Sequence, residues 1–297
     1  MAQRSLSRRC EMAWRYILIT LGISWAAAGA FAMSGVALGS GTGTLFAVAY
    51  MFIPLLVAYT RTPKGDFRRT IGWKWTWNRW VVVAWTTPMV LVALIIGVTL
   101  LMPDVTFDST MEGMIARYGS MLTAQELETM RAQLDAMPIH PAVLAFAQAL
   151  LAGITINAIA AFGEEAGWRG YLHDKFGALG FWREAMLIGF VWGLWHAPLI
   201  AMGHNYPQHP YIGIAMMVVL GMLLTPFMVL VRIKSGTVFA PTIFHGTMNA
   251  TAAIPLMLIA GGSDLIVGWT GLAGFIVLGL LNGALYLAMR QRLITLP

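Results

Sequence analysis

The chain has 297 residues, of which 58% are hydrophobic and only 11% are charged. That composition is too apolar for a water-soluble domain of this length and indicates an integral membrane protein. The one cysteine, Cys10, excludes a disulfide framework and a thiolate zinc site. The net charge of +6 is dispersed, without the basic, aromatic-interleaved face of a nucleic-acid-binding protein.

Eight apolar segments are long enough, at about 20 residues each, to cross a bilayer as helices. They are predicted at 13–33, 43–60, 80–102, 141–163, 184–201, 211–231, 237–260 and 265–289. The predicted fold class is therefore all-α, a polytopic membrane protein with about eight transmembrane helices. The first segment is interpreted as a retained helix and not a cleaved secretory signal, because its apolar run is long.

The basic residues alternate between connections as the positive-inside rule expects. With both termini in the cytoplasm, only Arg117 and Arg131 of the 19 Lys and Arg residues fall in an external segment. The others lie in terminal segments or cytoplasmic connections: Arg4, Arg8, Arg9, Arg15, Arg61, Lys64, Arg68, Arg69, Lys74, Arg79, Arg169, Lys175, Arg183, Arg232, Lys234, Arg290 and Arg292. We therefore predict an even number of spans, both termini cytoplasmic, in the inner (plasma) membrane of a bacterium.

The external segment 103–140 includes an amphipathic stretch that Thr123 is placed to cap as a helix. We divide the chain there. An N-terminal part, 1–140, holds the first three helices and this external segment, and a second part, 141–297, holds helices four to eight. In the last helix, Gly279 and Gly283 form a GxxxG pattern that predicts close packing within the chain.

Ionisable side chains are costly inside hydrocarbon, so those predicted there are candidates for a functional role. They form three groups: Glu164, Glu165 and Arg169 at the end of the fourth helix, Trp192 and His196 in the fifth, and His245 and Asn249 in the seventh. Such groups on neighbouring helices predict a shared polar site.

Spacing separates the roles of the two glutamates. Residues four apart share a helix face, so Glu165 can pair with Arg169, whereas Glu164 is turned by about 100° toward a cavity. His196 lies about 18 Å along its helix at about 1.5 Å per residue, and His245 lies less deep. We expect both histidines and Glu164 on the cytoplasmic side of the bilayer. A charge cluster that merely anchors the helix is the alternative.

The chemistry of these groups suits hydrolysis by two routes. A carboxylate and a neutral imidazole can deprotonate water, while a second imidazole and an amide can donate hydrogen bonds to an oxyanion. Glu164, His196 and His245 could instead hold a divalent metal such as Zn²⁺ with an open water position. The residues leave both routes open, so the sequence makes no cofactor certain and a divalent metal such as Zn²⁺ stays an alternative. The HExxH and GxSxG motifs are absent.

At these residues the chain resembles the CAAX protease and bacteriocin-processing (CPBP, or Abi) family of intramembrane proteases, related to the Ras-converting CAAX endopeptidases. Three motifs match in order, within a core at 141–260: paired glutamates with an arginine, aromatic-xxx-His, and His-xxx-Asn. Trp192 stands where phenylalanine is usual.

The resemblance implies an intramembrane endopeptidase. Glu164 and His196 would activate water, His245 and Asn249 would stabilise the oxyanion, and Glu165 with Arg169 would support them. The family's description as metalloproteases leaves the metal open. The implied partners are the bilayer and a peptide or protein substrate, with or without a lipid, and not nucleic acid.

Two other functions are considered. One is a non-catalytic immunity or scaffold protein of the same fold. The other is a proton-coupled transporter, against which the lack of an internal repeat in the sequence counts.

Overall fold

The computed structural model describes the backbone of residues 2–118 and 123–296 and the side chains of residues 6–117 and 123–296. The predicted contribution of Arg4 to the basic N-terminal segment therefore concerns a side chain outside the described part.

The described chain is built almost entirely from α-helices. In chain order they are α1 (Ala2–Met33), α2 (Gly41–Met51), α3 (Ile53–Thr60), α4 (Phe67–Ile71), α5 (Arg79–Thr99), α6 (Glu112–Tyr118), α7 (Ala124–Asp135), α8 (Pro141–Ala152), α9 (Ile156–Glu165), α10 (His173–Phe176), α11 (Phe181–Trp195), α12 (Ala197–Ala201), α13 (Pro210–Ser235), α14 (Phe239–Thr251), α15 (Ile254–Leu258) and α16 (Leu272–Arg290). A π-helical turn, Ala166–Leu172, joins α9 to α10, and Gly177–Leu179 forms a 3₁₀ turn. Two short strands, β1 (Val105–Phe107) and β2 (Ile259–Gly261), pair antiparallel with Thr106 opposite Ala260.

Among the described residues, five helical stretches are long and apolar enough to cross a membrane: 6–33, 41–60, 79–99, 210–235 and 272–290. A sixth is the pair formed by α8 and the stretch from α9 to Leu179, bent by 57°. Helices α11 and α14, at 15 and 13 residues, are about 20 Å long and fall short of the roughly 30 Å hydrocarbon core. The all-α, polytopic membrane fold is confirmed, and the count of eight spans is not.

The outer surface of the bundle is apolar. Leu18, Leu45 and Leu280 lie within long helices and are 69%, 73% and 70% exposed. Such side chains suit contact with lipid, where a helix satisfies its own backbone hydrogen bonds.

One end of the bundle, here called the basic face, is formed by the connections 61–78, 173–180 and 236–238. Hydrogen bonds join these connections across the end. Asn78 Nδ2 donates to Ser235 O at 3.0 Å, and Thr237 Oγ1 donates to Lys74 O at 2.7 Å. Arg9 Nη1 donates to Asp174 O at 3.3 Å, so the basic N-terminal segment lies at the same end.

The other end, here called the opposite face, is formed by the connections 34–40, 100–111, 202–209 and 259–271. The β1–β2 pairing lies there, and Tyr206 Oη donates to Thr270 O at 2.7 Å. Backbone and side-chain contacts thus link connections that are distant in the chain.

The predicted external helix is present as α7. Thr123 and Glu126 form a capping box, in which Thr123 N donates to Glu126 Oε2 at 2.8 Å and Glu126 N donates to Thr123 Oγ1 at 3.3 Å. The predicted close packing at Gly279 and Gly283 is wrong, because no atom of the described residues outside the adjacent helix backbone lies within 4 Å of a Cβ built on either glycine.

Helix α14 is the centre of the site-bearing part of the bundle and packs against α5, α8, α9 and α13. Its approach to the α8–α9 bend depends on Gly246, where an added Cβ would stand 2.5 Å from Gly153 O. This close approach places the residue next to it, His245, against α9.

Candidate active site

The end of α9 carries a buried ion pair. Arg169 Nη1 lies 2.9 Å from Glu165 Oε1, and both side chains are fully buried. Arg169 Nη2 also donates to Thr225 Oγ1 of α13 at 2.8 Å. The predicted Glu165–Arg169 pair is confirmed, and it ties α9 to α13 instead of lying at an exposed helix end.

Glu164 points away from that pair. Trp192 Nε1 of α11 donates to Glu164 Oε2 at 2.6 Å, and the guanidinium of Arg169 stacks 4.4 Å from the centre of the Trp192 ring. The Trp192 ring therefore separates the ion pair from Glu164 while its N–H holds the carboxylate.

The two histidines are each fixed through Nδ1. His245 Nδ1 lies 2.9 Å from Glu165 Oε1, and His196 Nδ1 lies 2.8 Å from the carbonyl oxygen of Trp192. Because both partners are hydrogen-bond acceptors, Nδ1 carries the proton in each ring. In a neutral ring, Nε2 is then left as an acceptor.

Glu164, His196, His245 and Asn249 line one cavity of about 310 Å³. Glu164, His196 and His245 are buried, whereas the Asn249 side chain is exposed, with no hydrogen-bond partner in the part of the chain that the structure describes. The rest of the wall is mainly apolar and includes Leu38, Ala47, Met51, Leu199, Met217, Leu220 and Met248. The structure thus brings together, around one cavity, the four residues predicted to act.

The predicted depth of Glu164 and His245 stays a prediction, since both lie within a few residues of the basic face, but the cavity opens in the other direction. The cavity wall includes Leu38, His204 and Thr270 from connections of the opposite face, and Met217 from near the start of α13 at that face. His196 caps the end of α11, so it lies past the middle of the bundle when counted from the basic face. The cavity therefore extends toward the opposite face and not toward the predicted cytoplasmic side.

Tyr50 and Thr225 support the site and are not identifiable from the motifs. Tyr50 Oη donates a hydrogen bond to Trp195 O, next to His196, at 3.0 Å. Thr225 Oγ1 accepts a hydrogen bond from Arg169 Nη2. A weak signal exists for Thr225, since it is a polar residue within the long apolar run of α13. The contact of Tyr50 joins residues 145 positions apart, which no local pattern indicates.

The proposed metal ligands do not form a ligand set. Across residues 2–118 and 123–296, no three His, Cys, Asp or Glu side chains converge as metal ligands would. Within the described part of the chain, Nε2 of each histidine and one oxygen of Glu164 are free and have the chemistry of metal ligands, but they do not converge on one point. The arrangement of Glu164, His196 and His245 therefore does not fit a bound metal.

Residues 146–251 match the family model of Rce1-like proteins, described as Type II CAAX prenyl endopeptidase Rce1-like. The matched segment contains all three motifs, from Glu164 to Asn249. The match agrees with the resemblance to the CAAX protease family, and the apolar helices are those of an integral membrane protein. No curated protein matches the chain.

Proposed function

We propose that the protein is an intramembrane endopeptidase that hydrolyses peptide bonds with water activated by Glu164 and His196. One observation carries the proposal: Glu164, His196, His245 and Asn249, from three separate helices, line a single cavity inside the family-matched segment. A structural charge cluster would not require the two histidines and Asn249 to face that space.

In the proposed reaction, water lies between the free oxygen of Glu164 and His196 Nε2. Its oxygen attacks the carbonyl carbon as its proton passes to His196 Nε2 or to Glu164, giving a tetrahedral oxyanion. The C–N bond then breaks, and the proton moves to the leaving amine nitrogen. The products are a carboxylate and an amine.

His245 and Asn249 are proposed to stabilise the oxyanion. The Asn249 amide N–H₂ has no partner in the described structure and can donate directly. His245 Nδ1–H is held by Glu165, so Nε2 donates only when the ring is protonated.

The proposed mechanism assigns water activation to these side chains without a metal, because the geometry of the three candidate ligands does not fit one. We expect cleavage by the purified protein to persist after incubation with a strong chelator. Loss of cleavage that returns with added Zn²⁺ would contradict this part of the proposal.

The function is tested with Glu164→Gln, which keeps the size of the side chain but removes the base. Purified wild type in detergent is incubated with a peptide mixture, and new termini are detected by mass spectrometry. We expect cleavage to fall by about 10²–10⁴-fold in Glu164→Gln, the usual contribution of a general base.

The matched control is Glu184→Gln, a buried carboxylate that lies near the basic face and pairs with His173 at 2.5 Å. It is expected to retain cleavage if it folds. Cleavage by Glu164→Gln at the wild-type rate would overturn the proposal. Absence of cleavage by wild type, with a phenotype unaffected by Glu164→Gln, would favour the non-catalytic scaffold.

A further inference from the structure

We infer that the substrate enters from the opposite face, as a polypeptide segment with apolar side chains around the cleaved bond. This rests on the proposed function for the presence of a substrate, but the direction of access is a separate property of the fold. With the predicted orientation, the opposite face is the non-cytoplasmic side of the membrane.

A second cavity extends the first one toward the opposite face. It has a volume of about 230 Å³ and shares Asn205, Ala252, Trp269 and Thr270 with the cavity around Glu164. Its other lining residues include Gln208, Ser263 and Asp264, all from connections of the opposite face. The two cavities are therefore neighbours that share a wall, and the outer one lies between that face and the cavity around Glu164.

The rim of the outer cavity is held in place by hydrogen bonds. Asp264 accepts from Gln208 N at 2.8 Å, and His209 Nδ1 lies 2.6 Å from the other carboxylate oxygen. Arg117 donates to the carbonyl oxygen of Ile259 at 3.1 Å and to that of Gly261. The rim is therefore a built structure of loops and one strand, in which a few polar groups stand among mainly apolar ones.

The route from the basic face is filled by side chains. Arg169 and Trp168 are fully buried between Glu164 and that face, and Arg232 Nε donates to Arg169 O at 3.0 Å. Tyr16 fills the space beside Gly167, where an added Cβ would stand 2.1 Å from Tyr16 Oη. Entry from the basic face would require separating a buried ion pair, which is costly.

Both cavities are lined mainly by apolar surface, at the rim as well as near Glu164. Around the carboxylate, Ala47, Met217, Leu220 and Met248 form much of the wall. Apolar side chains on either side of the cleaved bond would gain free energy by leaving water there, whereas charged ones would lose it. The substrate class is thus an extended, apolar segment displayed on the face opposite to the basic connections.

The test measures access with thiol labelling. In a Cys10→Ser background, Ala252→Cys places one thiol on the wall shared by the two cavities, and Lys64→Cys places one on the basic face, where Lys64 is exposed. Sealed vesicles of each orientation are treated with a charged maleimide that does not cross membranes.

We expect Ala252→Cys to react with the maleimide from the side of the membrane at which Lys64→Cys is protected. Its labelling rate from that side should be at least about tenfold higher than its labelling rate from the Lys64 side. A second variant, Gln208→Cys at the rim, should react from the same side as Ala252→Cys. Labelling of Ala252→Cys from the Lys64 side, or from neither side while Gln208→Cys reacts, would overturn the inference.

Cleavage is then compared in the same vesicles. A polar-ended peptide with an apolar centre, added to the opposite face, should be cut by wild type and not by Glu164→Gln. Cleavage in detergent together with cleavage only from the basic face would overturn the inference and leave the proposed function intact. Cleavage in no condition, with labelling as expected, would count against the proposed function alone.

Discussion

At the scale of single residues, Trp192 gives Glu164 a hydrogen bond that phenylalanine, the usual residue of the family motif, cannot supply. The indole N–H lies 2.6 Å from Glu164 Oε2, and the ring contacts both Arg169 and the site histidines. Trp192 thus acts as a positioning residue for the carboxylate.

Trp192→Phe should remove that hydrogen bond while keeping an aromatic ring. A hydrogen bond to a charged group contributes about 1.5–3 kcal/mol, so we expect kcat to fall by roughly 10–100-fold with little change in KM. Trp85→Phe is the control, because it removes an indole N–H that donates to Leu150 O at 2.9 Å, away from the site. Wild-type kcat in Trp192→Phe would show that this hydrogen bond has no functional role.

A second prediction concerns the stability that the buried pair of Glu165 and Arg169 contributes. Arg169→Met should destabilise the protein by about 3–5 kcal/mol, because it removes the cation that pairs with the buried Glu165 carboxylate and leaves only the contact with His245. The double variant with Glu165→Gln should recover part of that loss, as measured by thermal unfolding in detergent.

The exposed pair of Glu11 and Arg15 has the same four-residue spacing and provides the control. Arg15→Met should change stability by no more than about 1 kcal/mol. Equal effects of Arg169→Met and Arg15→Met would contradict the structural role of the buried pair.

Side-chain contacts could be predicted from the sequence where the two residues lie within one short motif. The four-residue spacing was enough to predict the pairing of Glu165 with Arg169 and the separate direction of Glu164. The partners of the histidines were not predictable, since Glu165 and His245 are 80 residues apart. The catalytic roles themselves stay predictions.

At the scale of elements, the site is built on interrupted helices. The α8–α9 pair is bent by 57°, and α11 stops at His196 before the short α12. Apolar composition alone cannot detect such interruptions, which is why 184–201 was predicted as one span. The π-helical turn after Glu165 has no hydropathy signal either, although such turns are frequent at functional sites.

Gly246 is the contact on which the placement of α14 depends. Gly246→Ala should force α14 away from the α8–α9 bend, at a cost of about 1–3 kcal/mol, and lower the cleavage rate by moving His245. Thermal unfolding and cleavage rate are measured together.

Gly279→Ala is the matched change on α16, where nothing lies within 4 Å of the added Cβ. It should leave cleavage unchanged and leave stability equal or slightly higher, because alanine favours helix by up to about 1 kcal/mol. If Gly279→Ala lost as much stability and cleavage activity as Gly246→Ala, the close approach at Gly246 could not explain the effect of Gly246→Ala.

At the scale of the whole molecule, the bundle has a lipid-facing belt and two chemically different ends. The alternation of basic residues, summed over the whole chain, predicted which connections share an end. It did not give depth along the bundle, because that depends on where α11 ends and how α8 and α9 bend. The direction in which the cavity opens was therefore not predicted.

Leu280→Lys tests the lipid-facing belt. Leu280 lies near the centre of α16 and is 70% exposed, so a lysine there should cost about 2.5–3.5 kcal/mol of insertion free energy. Leu293→Lys is the control, since Leu293 is 75% exposed but follows the end of α16. Comparable amounts of monodisperse protein from the membranes of both variants would argue against a lipid contact at Leu280.

Three methionines in the cavity wall, Met51, Met217 and Met248, have a consequence for selectivity. A methionine side chain is unbranched and readily changes rotamer. A wall that contains several methionines can therefore pack against apolar groups of different shapes. Discrimination between peptides would then arise less from a rigid pocket than from which segments are unfolded and able to reach it. Such an enzyme would tolerate many sequences at the cleaved bond while remaining strict about where in the cell they are displayed.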